Sequence, residues 1–319
     1  MIGLASYLIF FFTIGFILSI AVLGLNLQWG HTGLFNGGVA AFFGAGAYGI
    51  ILLGGPLQPG QLIGLNLPYP LALAGSVLLA GLLAWIVGAI TTKLRHDYLA
   101  IATFGVAVAV ESFTRNAESI TGGAMGLRGF ERPFEAAINN PFLFNLFYLV
   151  FVLVVLVAVF MMLNKIVASP FGRLLRAIRE DETAARSLGK SPARIRRQAF
   201  IFGSMIIGLS GALYATFYAF ISPQDILPIL TFQIWAMLIV GGSGNNRGAV
   251  LGALVVWAGW VGSGWALTKF APVDWQLYVG TIQYILIGLI IVLALLLRPK
   301  GLLPEKLIIS QSGDPETSQ

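Results

Sequence analysis

The sequence of 319 residues contains no cysteine and only two histidines, His31 and His96. The missing thiols exclude disulfide frameworks, thiol catalysis and cysteine-built zinc sites, and two histidines are too few for a histidine-built metal centre. Charge is scarce as well, because 10% of the residues are charged against about 25% in ordinary soluble proteins. We therefore expect no catalytic residue, metal site or cofactor, and the class of soluble enzymes is excluded.

Apolar residues take the place of the missing charges: 57% of the chain is hydrophobic and its mean hydropathy is +0.87. A helix needs about 20 apolar residues to cross the hydrocarbon core of a bilayer. By this measure the sequence predicts nine membrane segments, at 4–25, 33–53, 70–92, 98–113, 141–163, 198–221, 229–243, 248–268 and 278–297. The predicted fold is an all-α, polytopic membrane bundle of about 8–10 transmembrane helices.

Two of these segments are interpreted as interrupted. Residues 30–49 hold seven glycines in 20 residues, and 98–113 has only 16 residues and is interpreted as a half-span. Irregular backbone at membrane depth is tolerated where it is buried in protein or lines a cavity, and its free N–H and C=O groups suit a zwitterion or an amide. The predicted substrate pathway therefore contains Asn36, Gly37, Gly38, Gly44 and Gly46 in the first segment and Thr121, Gly122 and Gly123 at an outer loop. The alternative is that these glycines pack helices together.

The basic residues are unevenly distributed, since the first is Lys93 and nine of the 19 fall between Lys165 and Arg197. A basic block between apolar segments is typical of a cytoplasmic loop beside anionic lipid, and not of a nucleic-acid-binding surface. We expect the loop 165–197 and the C-terminus to be cytoplasmic, together with Lys93 and Arg95. Residues 1–306 are predicted to form a single integral membrane domain, followed by a disordered polar tail at 307–319.

The loop 165–197 is predicted to contain a helix of its own. Ser169 before Pro170 is a helix start, and Gly189 is a helix stop. Between them Leu174, Ile178, Ala185 and Leu188 are predicted to share one face of a single helix over 170–188, and Ser191-Pro192 begins the next helix. Such a loop fits a docking element between two spans, and the alternative is an amphipathic helix resting on lipid headgroups.

Within this loop, Thr183-Ala184-Ala185-x3-Gly189 resembles the Glu-Ala-Ala-x3-Gly pattern of ABC importer permeases, with Thr183 in place of the leading Glu. The chain is most similar to the branched-chain amino acid permeases that pair with a sister permease. The likeness covers roughly residues 20–303 and includes the stretches 24–36, 40–48, 96–103, 121–127 and 298–302.

The resemblance implies a permease subunit of an ATP-driven importer for branched-chain or other neutral amino acids in a bacterial inner membrane. Its partners would be two ABC ATPase subunits, a sister permease and an extracytoplasmic solute-binding protein, and alternating access would follow ATPase closure. ATP hydrolysis is expected on the separate ATPases, since no G-x-x-x-x-G-K-[ST] sequence occurs here. The residues implied in ATPase docking are Glu182, Thr183, Ala184, Ala185 and Gly189.

The predicted spans contain almost no ionisable residue apart from Glu111, which favours an energy source outside the chain. Glu111 lies four residues before Arg115, a spacing that favours a local ion pair over a role in substrate recognition. The alternative function is a stand-alone channel or secondary carrier, or an ABC permease, for urea or short amides.

Overall fold

The computed structural model describes residues 2–58, 60–91, 96–128, 130, 132–133, 135, 138, 140–270, 272–276 and 278–305. The predicted cytoplasmic cations Lys93, Arg95 and Lys306 and the predicted tail 307–319 lie outside these residues. The described part is almost entirely helical. Its helices are α1 Ile2–Gln28, α2 Val39–Gly54, α3 Tyr69–Thr91, α4 His96–Asn116, α5 Glu118–Thr121, α6 Pro141–Ala168, α7 Pro170–Glu180, α8 Glu182–Ser187, α9 Pro192–Tyr218, α10 Ile229–Gly241, α11 Asn246–Phe270, α12 Val273–Gln276 and α13 Val279–Leu297.

Seven helices are long and apolar enough to cross a membrane, namely α1, α3, α4, α6, α9, α11 and α13. Two shorter apolar helices, α2 with 16 residues and α10 with 13, complete the set. The short strands β1 Leu127–Arg128 and β2 Phe220–Ile221 pair antiparallel at one end of the bundle. The prediction of an all-α polytopic membrane bundle is confirmed, and each of the nine predicted segments contains one helix.

Of the two predicted interruptions, the half-span at 98–113 is wrong and the interruption within residues 30–49 is confirmed. The segment 98–113, interpreted as a half-span, belongs to the 21-residue helix α4, which at about 1.5 Å per residue reaches across the hydrocarbon core. The segment 33–53 is helical only from Val39. Gly33 has a φ of 71°, and the Asn36 side chain bonds to the Gly38 backbone, which competes with helix formation.

The centre of the bundle is formed by α9, which packs against α1, α2 and α3. Small residues allow this packing, because a methyl group at Gly46 of α2 would overlap the carbonyl oxygen of Gly208 in α9. A methyl group at Gly211 would likewise overlap the carbonyl of Phe43. The backbones of α2 and α9 therefore lie in direct contact, as in small-residue interfaces of membrane helices. In contrast, Ile287 is the one fully buried residue of α13.

The loop between α6 and α9 forms two helices where one was predicted. Ser169 does cap α7, accepting from the Gly172 N–H, but α7 ends at Glu180 because Asp181 leaves helical geometry and caps α8. The Asp181 carboxylate accepts hydrogen bonds from the N–H groups of Thr183 and Ala184, at 2.8 and 3.0 Å. The predicted common face is consequently split: Ile178 and Ala185 are buried and Leu174 is half-buried, whereas Leu188 is 80% exposed.

Candidate functional site

The connection between α1 and α2 is a non-helical stretch held inside the bundle, and we call residues 33–38 the Asn36 segment. Asn36 is fully buried. Its Nδ2 donates to Gln28 Oε1 at 2.8 Å, and its Oδ1 accepts from the Gly38 N–H at 2.8 Å. Its carbonyl accepts from Trp235 Nε1 at 2.9 Å. Both polar atoms of the Asn36 side chain and its backbone carbonyl are thus occupied, which fixes the backbone where no helix satisfies it.

Neighbouring helices supply further hydrogen bonds to the Asn36 segment and to its partner Gln28. Gln28 Nε2 donates to the Phe200 carbonyl at 2.8 Å and to Ser204 Oγ at 3.0 Å, both on α9. From α4, Thr103 Oγ1 accepts the Gly37 N–H at 2.8 Å. Unpaired polar groups are costly in an apolar environment. This hydrogen-bond network therefore stabilises the non-helical Asn36 segment inside the bundle.

An apolar cavity of about 690 Å³ adjoins the Asn36 segment, a volume within the range of small-molecule sites. It lies between the segment, α4, α10 and α13. Its described lining contains no charged side chain and consists of Trp29, Phe35, Gly37, Ala100, Ile101, Phe104, Thr231, Phe232, Trp235, Ile239, Ser243, Ile291, Leu295 and Pro299. The cavity suits an aliphatic group, with the hydroxyls of Thr231 and Ser243 at its wall.

The predicted pathway residues fall into three places. Gly37 lies at the apolar cavity, and Asn36 and Gly38 adjoin it in the chain. Gly44 lies elsewhere, where a methyl group would contact Ile226 at 3.0 Å, and Gly46 lies against α9. The absent side chains of Gly44 and Gly46 thus serve close packing in this structure, and a part for them in a pathway stays a prediction.

The third place is the loop after α4, which holds Thr121, Gly122 and Gly123. Thr121 is buried and its hydroxyl donates to the Thr114 carbonyl at 2.6 Å. Gly122 and Gly123 have φ angles of 71° and 59°, which favour glycine, and they lead the chain back to β1. This loop is not part of the apolar cavity, and its role in a pathway also stays a prediction.

The predicted docking residues divide between two faces of α8. Glu182 faces the protein, where its carboxylate pairs with Arg196 at 2.7 Å and with Arg186 at 3.0 Å. Ala185 is also buried, at 4% exposure. Thr183, Ala184 and Gly189 are exposed, and a methyl group added at Gly189 would meet no atom within 4 Å. These three and Leu188 form what we call the α8 surface.

Arg179, which the sequence did not single out, joins the loop to the Asn36 segment. Its guanidinium pairs with Glu305 at 2.9 Å and donates to the Gly30 carbonyl. A methyl group at Gly33 would lie 3.2 Å from its side chain. The chain after α13 reaches the same place, since the Leu302 N–H donates to the Val240 carbonyl of α10 at 2.8 Å. A basic residue in the last turn of α7 and an acid beyond α13 were visible signals, but their pairing depends on the tertiary fold.

His31 lies at this same end of the bundle, with 2% of its surface exposed. Burial lowers the pKa of His31 to about 4, with smaller lowering effects from the charges of Arg179 and Arg176 and an opposing effect of the Asn246 side chain. The ring is therefore neutral at neutral pH.

Far from His31, Glu111 accepts from Arg115 Nε at 2.8 Å, which confirms the predicted local ion pair.

Comparisons with known proteins connect this geometry to a family. Residues 7–295 match the family described as branched-chain amino acid transport system / permease component. The chain is 30% identical over 314 residues to the high-affinity branched-chain amino acid transport system permease protein LivM of Escherichia coli, covering 92% of this chain and 69% of that protein. It is 31% identical to the Salmonella typhimurium LivM, with 88% and 66% covered. A probable LivM of Methanocaldococcus jannaschii is 30% identical, with 97% and 96% covered.

Proposed function

This chain belongs to the permease family of branched-chain amino acid transport systems and is a permease subunit of an ABC importer, and from that premise we propose how its parts divide the work. Members of this family are transporters and not enzymes. The chain is a multi-pass inner-membrane protein that works with other components of its transport system. The comparisons do not favour the alternative of a channel or carrier for urea or short amides.

We propose that the α8 surface, on the cytoplasmic side, binds one of the two ABC ATPase subunits of the importer. The support is its exposure, since Leu188 projects with 80% of its surface free although leucine is usually buried. An isolated apolar residue beside Ala184 and Gly189 suits close contact with a groove on another protein. Glu182 and Ala185 act from beneath, because their contacts with the bundle hold α8 in position.

Movement of the docked loop would reach the pathway through Arg179. Its guanidinium contacts the Gly30 carbonyl, three residues before Gly33 and six before Asn36. A shift of α7 therefore acts on the stretch that carries the Asn36 segment, without a flexible linker between them. The Glu305 carboxylate holds the other side of the guanidinium, so the C-terminal segment moves with the loop. Rocking of this kind opens the cavity first to one side and then to the other.

The substrate would pass along the apolar cavity. A branched aliphatic side chain fits walls of leucine, isoleucine and aromatic rings, and the described lining residues carry no charge that would trap a zwitterion midway. Ile101, Phe104 and Phe232 leave this face exposed, at 71%, 36% and 44%. We assign this face to contact with a sister permease, so that the two subunits enclose the path, and an extracytoplasmic solute-binding protein would deliver the substrate. Residues 1–306 would act as one permease domain.

Filling the cavity tests the proposal. In the assembled transporter in proteoliposomes, Ala100→Trp places an indole in the cavity and should reduce leucine uptake at least about tenfold while the ATPases still co-purify. Ala109→Trp, on an exposed part of the same helix, should retain most uptake. Equal uptake by both variants would remove the cavity from the path.

A further inference from the structure

A second cavity, of about 220 Å³, lies at the end of the bundle opposite the loop 165–197, among α1, α9, α10, α11 and α13. We call it the Asp225 cavity. One carboxylate, two amides and a set of aromatic and aliphatic side chains line it. The lining residues are Ile14, Leu18, Phe43, Tyr214, Tyr218, Gln224, Asp225, Leu227, Ile229, Leu230, Gln233, Trp257, Trp260 and Tyr284. Asp225 and Gln233 are its polar groups of greatest interest, because both are partly buried.

The Asp225 carboxylate has no cationic partner among the residues that the structure describes. Its Oδ2 accepts from the Ser222 backbone N–H at 2.9 Å and from Ser222 Oγ at 2.6 Å, and its Oδ1 accepts from the Tyr214 hydroxyl at 3.2 Å. None of the ion pairs between described residues includes it. A carboxylate has about four acceptor positions, so three bonds leave capacity for one further donor, and the charge favours a cationic one.

The walls beside Asp225 also suit a cation. The rings of Tyr214 and Tyr218 lie 4.7 Å apart, and those of Trp260 and Tyr284 lie 5.8 Å apart. Aromatic faces attract an ammonium group through their quadrupole, and tryptophan and tyrosine do so best. The aliphatic part of the lining, Ile14, Leu18 and Leu230, would accept a short branched chain.

Gln233 offers the complementary group on α10. Its side-chain amide makes no hydrogen bond within the described ranges, although the residue is half-buried in the cavity wall. Both of its N–H donors are therefore available for an acceptor such as a carboxylate. Asp225 and Gln233 thus line the same small cavity. Asp225 lies just before α10 begins, and Gln233 lies within α10.

We propose that the Asp225 cavity is a binding site for the ammonium group of the transported amino acid, with Asp225 as the ion-pair partner and Gln233 as donor to the carboxylate. It deepens the function proposed above and depends on it for the identity of the solute. The apolar cavity would then receive the side chain of the amino acid, after its charged groups have bound at the outer end.

The test measures binding by calorimetry to the permease–ATPase complex in nanodiscs, without the solute-binding protein. The probes are 3-methylbutylamine, which keeps the ammonium and branched chain of leucine, and 4-methylpentanoate, which keeps the carboxylate instead. We expect the amine to bind the unmodified complex and to bind Asp225→Asn about tenfold to a hundredfold more weakly. The carboxylate should show no dependence on Asp225.

Ser222→Ala is the matched control, because it removes a hydrogen bond of the same turn and leaves the charge. It should change amine affinity by less than about threefold. Absence of amine binding, equal affinity in Asp225→Asn, or an equal loss in Ser222→Ala would overturn the site. If Ala100→Trp loses uptake and any of these binding results is found, the Asp225 site alone is refuted. If Ala100→Trp keeps its uptake and amine binding depends on Asp225, the path along the apolar cavity alone is refuted.

Discussion

The Asn36 segment and the α8 surface are both short interruptions between long helices, but they are built in opposite ways. In the Asn36 segment both side-chain polar atoms and the carbonyl of Asn36 have partners, and Asn36 is fully buried. On the α8 surface Leu188, Ala184 and Gly189 contact little of the protein. The first region is completed by the chain itself, and the second is completed only by a partner. Damage to the first should therefore affect folding, and damage to the second should affect assembly.

The largest effect is expected from Asn36→Leu. The change leaves Gln28 Oε1 and the Gly38 N–H buried without partners, at about 1–3 kcal/mol for each group. Thermal unfolding of the purified chain should shift to clearly lower temperature, and uptake should be lost. Asn116→Leu, at an exposed position at the end of α4, should unfold as the unmodified protein does. Equal melting temperatures for the two variants would contradict the claim that the buried hydrogen bonds of Asn36 stabilise the fold.

A change on the α8 surface should have an equally large effect on assembly and none on stability. Leu188→Arg places a long charged side chain where the ATPases are proposed to bind, so co-purification of the ATPases and uptake should fall at least about tenfold. The melting temperature should not change, because the side chain is 80% exposed. Leu62→Arg, with 73% exposure at the other end of the bundle, should retain the ATPases. Retention of the ATPases by Leu188→Arg would contradict the docking assignment.

A smaller effect concerns the pH dependence of stability, through His31, which lies just before the Asn36 segment. Because the pKa of His31 is about 4 in the folded chain and 6.5 as a free side chain, the unfolded chain binds the extra proton between these values. The free energy of unfolding should therefore fall as pH decreases from 6.5 to 4, by about 3 kcal/mol at roughly 1.4 kcal/mol per unit. His31→Gln should remove that part of the slope, measured as melting temperature against pH. An unchanged slope would show that another group is responsible.

Much of the fold follows from local chemistry in the sequence. Apolar length predicted the spans, and Ser169 with Pro170 predicted the start of α7, because a cap depends on neighbouring residues only. Asp181 was the missed local signal, since an Asp within a helical pattern is also a cap and divided the predicted helix in two.

The site was harder to predict because its interactions join distant parts of the chain. Gln28 reaches Ser204, and Arg179 reaches Glu305, across separations that no periodicity reveals. The docking motif pointed to α8 but did not show which of its residues face outward. Glu182 was predicted in docking, and its inward direction depends on Arg196 in the following helix.

The contact between α2 and α9 limits which parts of the molecule can change shape. Helices usually slide past one another by exchanging side-chain rotamers, and at Gly46 and Gly211 no side chain lies between the two backbones. We therefore expect these two helices to move together. Conformational freedom is left to the periphery, where α13 has little buried surface and α10 is only 13 residues long. The small residues at the contact between α2 and α9 thus favour opening of a gate on the side of the molecule formed by α10 and α13.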